Sequence, residues 1–365
     1  MAILTLGIVG AGTMGSGIAI ASAAHGLRVR LVDAQPSSLA KAKADAESFY
    51  ARQAEKGRMT GEAAAAAGAR IEAADDVEDL ADCDLVIEAV FEDFDLKARL
   101  FRSLADVLRP DCLVATNTSC LKVSDLQANI TQPERFLGLH YFSPAQVNPI
   151  VEVVRGAATS AATFEAAMAF CRATGKDPLP CNDQYGFAIN RFFCPYTNEA
   201  ARCLDEGLGT TGEIDAVAKD ALGAAAGPFF VMNIIKPRIN LHAIRNLGPL
   251  GPFYAPAASM VATGDGDGKW TIETPGEVPE ARAGAIADRL RLGAFLPTLQ
   301  ALDEGVAEPA VIDHGAQQAL KLAKPPCALM DQLGRGEVER ILQPALDRYG
   351  VPAPRSLARV GSLVA

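Results

Sequence analysis

Six residues near the start of the chain, Gly10-Ala11-Gly12-Thr13-Met14-Gly15, have the spacing of a loop that cradles a pyrophosphate. The first glycine serves a tight turn, the second lets backbone approach the phosphates, and the third lets helix and strand pack closely. A helix starting there, with Thr13 and Met14 in its first turn, offers unpaired N–H groups to an anion. The bare motif is a weak signal, and its context carries the weight. It follows the apolar run Leu6 to Val9 and precedes a helix-like stretch, Ser16 to His25, closed by Gly26. Asp33 ends a second apolar run, Val29 to Val32. A carboxylate there accepts hydrogen bonds from ribose hydroxyls and repels a 2′-phosphate. Ala34-Gln35-Pro36 brings no Arg or Lys, so the expected dinucleotide is NAD rather than NADP.

The second candidate for chemistry is a histidine and a carboxylate. Of four histidines, His25 precedes Gly26 at a helix end, where a cation is common. His242 and His314 lie in helical patterns that suggest no chemistry. His140 instead ends the apolar run Phe136 to Leu139, at a strand's edge, where α/β sites are built. Glu152 follows in another strand-like run, Ile150 to Val154, and Ser143-Pro144 and Asn148-Pro149 can turn the chain between them. Two adjacent strands would place Glu152 beside the imidazole, fixing its tautomer and stabilising its charged form. Spacing alone leaves open a merely structural histidine.

The elements that must hold these residues follow from periodicity. Short apolar runs at 6–9, 29–32, 85–87, 113–115 and 136–139 alternate with helical patterns such as Asp93 to Leu108. That alternation predicts βαβ units on a mostly parallel sheet. The stretch Ser37 to Ala69 is too long for one crossover helix and is expected to be an inserted helical hairpin turning near Gly57 and Gly61. After about Tyr185 the patterns are helical, and a repeat appears. Leu204-Asp205-Glu206-Gly207 recurs as Leu302-Asp303-Glu304-Gly305, Ile214-Asp215 as Ile312-Asp313, Ala221-Leu222 as Ala319-Leu320, and Pro228 as Pro326. All share one offset of 98 residues. The expected fold is therefore an α/β Rossmann-type N-terminal domain followed by an all-α C-terminal region made of two tandem copies of one helical domain. The expected boundaries are 1–184, 185–263, an exposed Gly/Asp/Pro-containing linker 264–283, and 284–365.

Composition removes other classes. A net charge of -10 disfavours nucleic acid, whose phosphates want a basic face. No apolar run reaches the length of a membrane span. Eight cysteines without C-x-x-C spacing suggest neither a metal site nor disulfide staples, and the start carries no basic leader, so a reduced, cytoplasmic protein is expected.

Several blocks together resemble the L-3-hydroxyacyl-CoA dehydrogenase family, from the start to about residue 255. They are Gly7 to Gly15; Glu88-Ala89-Val90-Phe91-Glu92 followed by Lys97; Asn117-Thr118-Ser119; Gly138 to Phe142; Val151 to Val154; and Gly186 to Arg191. The resemblance implies NAD-dependent oxidation of a 3-hydroxyacyl-CoA, as in fatty-acid β-oxidation, with substrate between a Rossmann-type and a helical domain. It makes His140 the general base and Glu152 its orienting carboxylate, with Ser119 and Asn190 holding the reacting oxygen. It places Glu92, Lys97 and Asn117 around the nicotinamide ribose and phosphates. Cys120 and Phe142-Ser143-Pro144 depart from the family's usual Ser and Phe-Asn-Pro, beside the acyl pocket. Lys41, Lys43, Lys56 and Arg58 of the hairpin could meet CoA phosphates or simply be solvated. At offset 98 Asn190 maps to Asp288, so the second copy lacks the site residue and is expected to mimic a dimer partner, leaving monomer or homodimer open. A non-CoA hydroxy acid or aromatic alcohol is the alternative substrate; a non-catalytic NAD-binding protein is the third reading.

Overall fold

The structure, a computed structural model, describes residues 3–364, and the chain divides into two compact units that meet between Asp183 and Gln184. The first unit is built on one eight-stranded sheet of order β3-β2-β1-β4-β5-β6-β7-β8. Its strands are β1 (Thr5–Val9), β2 (Arg28–Val32), β3 (Ile71–Ala73), β4 (Leu85–Glu88), β5 (Leu113–Thr116), β6 (Phe136–Tyr141), β7 (Ile150–Arg155) and β8 (Asp177–Asn182). All neighbours run parallel except β6 and β7, which are antiparallel. The helices are α1 (Thr13–Ala24), α2 (Pro36–Glu55), α3 (Gly61–Ala69), α4 (Phe94–Val107), α5 (Val123–Gln127) and α6 (Ala161–Ala173). Helices α2 and α3 form the expected hairpin, with Gly57 at positive φ in its turn. Leu6, Ile8, Ile18, Leu85, Ile87, Leu137 and Phe170 belong to one buried cluster between the sheet and its helices. Each such side chain contributes about 1.5–3 kcal/mol of burial.

Two strands escape the sequence reading. β3 has three residues, too few for a period to show. β8 reads Asp-Pro-Leu-Pro-Cys-Asn, and prolines argue against a strand. Pro178 and Pro180 pair with Val151 and Val153, two residues apart, so both missing N–H groups point to the same side. β8 is the sheet's edge, so that side is open and no ladder bond is lost.

The second unit is helical: α7 (Asn190–Asp205), α8 (Thr211–Ala221), α9 (Pro228–Ile235), α10 (Pro237–Asn246), α11 (Ala258–Asp265), α12 (Glu280–Asp303), α13 (Pro309–Ala319), α14 (Pro326–Leu333) and α15 (Arg335–Tyr349). α8 and α13 have the same length, as do α9 and α14, each pair 98 residues apart at both ends. Details recur at that spacing. Asp215 accepts the N–H groups of Phe229 (2.8 Å) and Phe230 (3.1 Å), and Asp313 accepts those of Cys327 (2.8 Å) and Ala328 (2.7 Å). Ion pairs cross reciprocally: Arg191 to Glu304 at 2.5 Å, and Arg289 to Glu206 at 2.5 Å. Ala224 and Leu322, also 98 apart, face each other in an antiparallel bridge.

Between α11 and α12 the chain is an extended strap rather than a loose linker. Most of its side chains are exposed, but Trp270, the only tryptophan, is buried and packs edge-on against Phe229. Asn233 exchanges two hydrogen bonds with the Trp270 backbone, at 2.8 and 2.9 Å, and Thr211 Oγ1 donates to Thr271 O at 2.7 Å. Gly212 permits this closeness, because a Cβ there would lie 1.9 Å from Glu273 O. We expect Gly212→Ala to lift the strap, costing about 1–3 kcal/mol as overpacking does. Thermal unfolding and a red shift of the Trp270 emission would register it; an unshifted emission would show that the strap does not depend on this approach.

Candidate active site

The loop after β1 meets the end of β4 at the point where the strand order reverses, which is where open α/β sheets bind ligands. Gly10 has φ 108°, and a Cβ on it would strike Ala89 O at 2.5 Å. Gly15 touches Gly10 O so closely that a Cβ would sit 1.8 Å away. Around Gly12, by contrast, nothing lies within 4 Å of an added Cβ. Gly12 is also the N-cap of α1, with no side-chain cap and no acidic residue in the first turn. Gly12 and Thr13 are exposed and Met14 half-buried. The helix end is thus bare, uncapped and open, as a pyrophosphate requires. Asp33 follows β2; its carboxylate accepts Ala11 N at 2.7 Å and Gln35 N at 2.8 Å, tying it to the glycine loop. These features fit NAD.

Glu92, Lys97 and Asn117 are brought to the same carboxyl edge of the sheet, where each also holds its neighbours. Lys97, on α4, is 1% exposed and its Nζ lies 2.5 Å from Glu88 Oε1 and 3.1 Å from Glu92 Oε2. Glu88 also accepts from Thr116 Oγ1 (2.7 Å) and Val90 N (2.7 Å). Glu92 accepts from Thr118 Oγ1 (2.5 Å), Ser119 N (2.8 Å) and Cys120 N (3.2 Å). One ammonium therefore serves two carboxylates. Burial pushes Glu88 up despite Lys97. For Glu92 the burial penalty is outweighed by the ammonium and by Thr118 and Ser119, which hold it down at about 2. Burial would lower Lys97, but the two carboxylates raise it. The loop bearing Ser119 hangs on Glu92. Glu88, the third member of this network, is marked in the sequence only as a carboxylate ending the apolar run Leu85 to Ile87. Asn117 Oδ1 accepts Tyr141 N at 2.9 Å, joining that loop to the strand that bears His140.

The antiparallel register sets His140 directly opposite Glu152. His140 Nδ1 and Glu152 Oε2 are 2.7 Å apart, with side chains 7% and 0% exposed. An ionised carboxylate only accepts, so Nδ1–H is the donor and the basic lone pair is on Nε2. The Phe142 ring lies 4.5 Å from the imidazole, centroid to centroid. Ser119 is half-buried in the loop after β5, on the same edge of the sheet. Asn190 is the first residue of α7, in the second unit. Among the described residues no cluster of side chains suits a metal ion, the eight cysteines are buried, and no helix is long and apolar enough to cross a membrane.

A bare glycine loop tied to an acidic strand end, with a buried His–Glu pair on the same sheet edge, defines an NAD-dependent dehydrogenase of the Rossmann type. Residues 5–184 match the NAD-binding domain of 3-hydroxyacyl-CoA dehydrogenase, and residues 186–263 its C-terminal domain. The chain belongs to the 3-hydroxyacyl-CoA dehydrogenase family. It is 40% identical over 230 residues to a 3-hydroxybutyryl-CoA dehydrogenase of Bradyrhizobium diazoefficiens, covering 63% of this chain and 78% of that protein. It is 37% identical over 236 residues to a 3-hydroxyadipyl-CoA dehydrogenase of Escherichia coli, covering 65% of this chain and 50% of that protein. A crystal structure of 3-hydroxybutyryl-CoA dehydrogenase from Escherichia coli K12 superimposes with a TM-score of 0.89 at 25% identity, over 100% of this chain and 99% of that one.

Lys97→Met leaves two carboxylates facing each other without a cation. We expect a loss of about 3–5 kcal/mol, the range for breaking a buried pair, measured by chemical denaturation. The depressed Glu92 contributes stability that is complete above its ordinary 4.5 and lost as pH falls towards about 2. In the variant that acid dependence should flatten; an unchanged acid limb would remove the ammonium as its cause.

Proposed function

We propose that this chain oxidises the 3-hydroxyl of an L-3-hydroxyacyl-CoA, with His140 as general base and Glu152 as the group that orients and charges it. The observation that carries the reading is the buried 2.7 Å contact between them, on the sheet edge that bears the glycine loop. NAD, when bound, supplies the hydride acceptor. His140 Nε2 takes the hydroxyl proton, and Glu152 stabilises the imidazolium that results. Ser119 and Asn190 steady the reacting oxygen as its charge changes. Asn117 keeps the loop bearing Ser119 in register with β6 by accepting Tyr141 N. Asp33 selects NAD over NADP by accepting ribose hydroxyls and repelling a 2′-phosphate.

Residues 284–365 are, on this proposal, a second copy of the helical domain standing where a partner subunit would sit. Reciprocal contacts support it: Arg191 with Glu304 and Arg289 with Glu206 are one contact made twice, as a two-fold interface demands. The residue at the position of Asn190 is Asp288, which pairs with Arg340 at 2.8 Å and serves structure. The whole-length match to the Escherichia coli structure supports the same reading. The boundaries 1–184, 185–263, 264–283 and 284–365 are part of the proposal.

NADH formation with short and long 3-hydroxyacyl-CoAs, and with the matching free acids, tests the substrate. Turnover of the free acids with none of the thioesters would overturn the CoA assignment. His140→Gln should cut kcat by about 10²–10⁴-fold, the worth of a positioned base, with NAD affinity nearly unchanged. Glu152→Gln should cut it less. Near-normal turnover in His140→Gln would end the acid–base assignment. Light scattering should find the intact chain monomeric, and a chain ending near residue 265 should dimerise or precipitate. A truncation that stays soluble, monomeric and active would defeat the internal-partner reading.

A further inference from the structure

Lys176 lies between α6 and β8, far in sequence from the acid–base pair, yet its ammonium reaches the segment that joins them. Its Nζ donates to Ala145 O at 2.5 Å and to Asn148 O at 2.8 Å. Both carbonyls belong to the turn 142–149 between β6, which bears His140, and β7, which bears Glu152. Lys176 is 8% exposed, and no carboxylate pairs with it among the described residues. A buried ammonium without a counter-ion is a costly way to fill space, and an apolar side chain would serve a core better. What the ammonium supplies is a pair of charge-assisted hydrogen bonds that hold two carbonyls of one turn at a fixed separation. The turn is seated from its other side as well. Ala145 is fully buried, and at Gly17 of α1 an added Cβ would lie 3.0 Å from Ala145 Cβ and 2.7 Å from Gln146 Oε1. The helix that receives the pyrophosphate and the turn that joins the acid–base pair are therefore packed directly together.

We propose that Lys176 is a positioning residue for the reaction: its ammonium clamps the 142–149 turn on α1 and so keeps His140 and Glu152 in register with the dinucleotide helix. This rests on the role proposed above for His140 and Glu152. The turn itself contains no titratable residue. The ionisable groups near Lys176 are Cys171 and Arg172 on α6, Tyr141 ending β6, Asp177 starting β8, and His25, whose ring sits over Gly175. Burial pushes Cys171 up to about 12 and Tyr141 well above its ordinary range, so neither is charged at neutral pH. Burial, only partly offset by Cys171, brings Lys176 down to about 8. The folded protein thus sheds this proton earlier than the unfolded chain. The group's contribution to stability rises with pH from about 8 towards its ordinary 10.5, while the clamp weakens over the same range. Stability and turnover move in opposite directions, which a purely structural lysine would not produce.

The test uses the full-length protein with Lys176→Met and Lys176→Arg. Lys176→Met should leave the unfolding temperature little changed and lower kcat by about 10- to 100-fold, the scale of a small misplacement of reacting groups. Its backbone amides in 142–149 should exchange hydrogen faster than in the wild type, with the rest of the sheet unaffected. Lys176→Arg, whose guanidinium does not deprotonate, should recover much of kcat and keep its activity at alkaline pH where the wild type is expected to lose it. A Lys176→Met protein whose turn exchanges at the wild-type rate would overturn the proposal. So would an activity loss matched by global unfolding and unrelieved by arginine. If Lys176→Met does not fold, Lys176→Arg decides, because an alkaline decline identical to the wild type's would sink the clamp. Normal turnover in His140→Gln would fail the base assignment alone, since the exchange measurement reads the turn independently of catalysis.

Discussion

One reversal of direction in an otherwise parallel sheet is the constraint that brings His140 and Glu152 together. Eight strands paired only in parallel would join each neighbouring pair by a crossover and leave His140 and Glu152 with no hairpin to oppose them. Because β7 returns antiparallel to β6, His140 and Glu152 become cross-strand neighbours in a fixed register. A slip of one residue would turn every side chain of β7 to the other face and leave the imidazole without its carboxylate. The register is specified on both sides: Val151 and Val153 belong to the buried cluster, and β8 pairs with all six residues of β7. The His140–Glu152 contact is thus fixed by the register that the core sets, with the Glu152 side chain at 0% exposure.

The same edge of the sheet is stabilised by buried cations used in two different ways. Lys97 sits between two carboxylates and knits the ends of β4, α4 and β5 into one polar network. Every member is satisfied, which is the condition under which buried charge rigidifies rather than weakens a fold. Lys176 has no carboxylate and spends its charge on two backbone carbonyls. In the first case the ion pair holds a loop through Glu92; in the second the cation holds a turn directly. Both loops flank the position where hydride chemistry is proposed to occur, so rigidity there comes from electrostatics where apolar packing gives out.

The helical unit follows a different logic. Its first half carries a surface of Arg and Glu at helix ends that would be awkward to expose. Its second half answers with the same residues in reverse: Arg191 finds Glu304, and Arg289 finds Glu206 and Glu199. The paired contacts have the reciprocal pattern of a self-complementary interface, held here within one chain. At the 98-residue spacing Asp215 and Asp313 make matching helix-end hydrogen bonds, whereas Asn190 and Asp288 differ, Asp288 pairing with Arg340.

Much of this was written in local sequence. The glycine loop, Asp33, the strands before them, the α2–α3 hairpin and the 98-residue repeat are all short-range or periodic signals, so a linear reading reaches them. His140 and Glu152 could be named as a pair because a hairpin relates them through a short turn. What the sequence could not settle was anything decided by contact between distant elements. Lys97 reads as a helix-surface charge until the fold buries it between Glu88 and Glu92. Pro178 and Pro180 deny a strand until the topology makes β8 an edge. Trp270 looks like part of an exposed linker until Phe229 and Asn233 receive it, and Lys176 says nothing until the sheet brings it under the turn at Ala145. Local propensity and spacing are properties of the chain, but burial, and with it the meaning of a charge, belongs only to the folded neighbours.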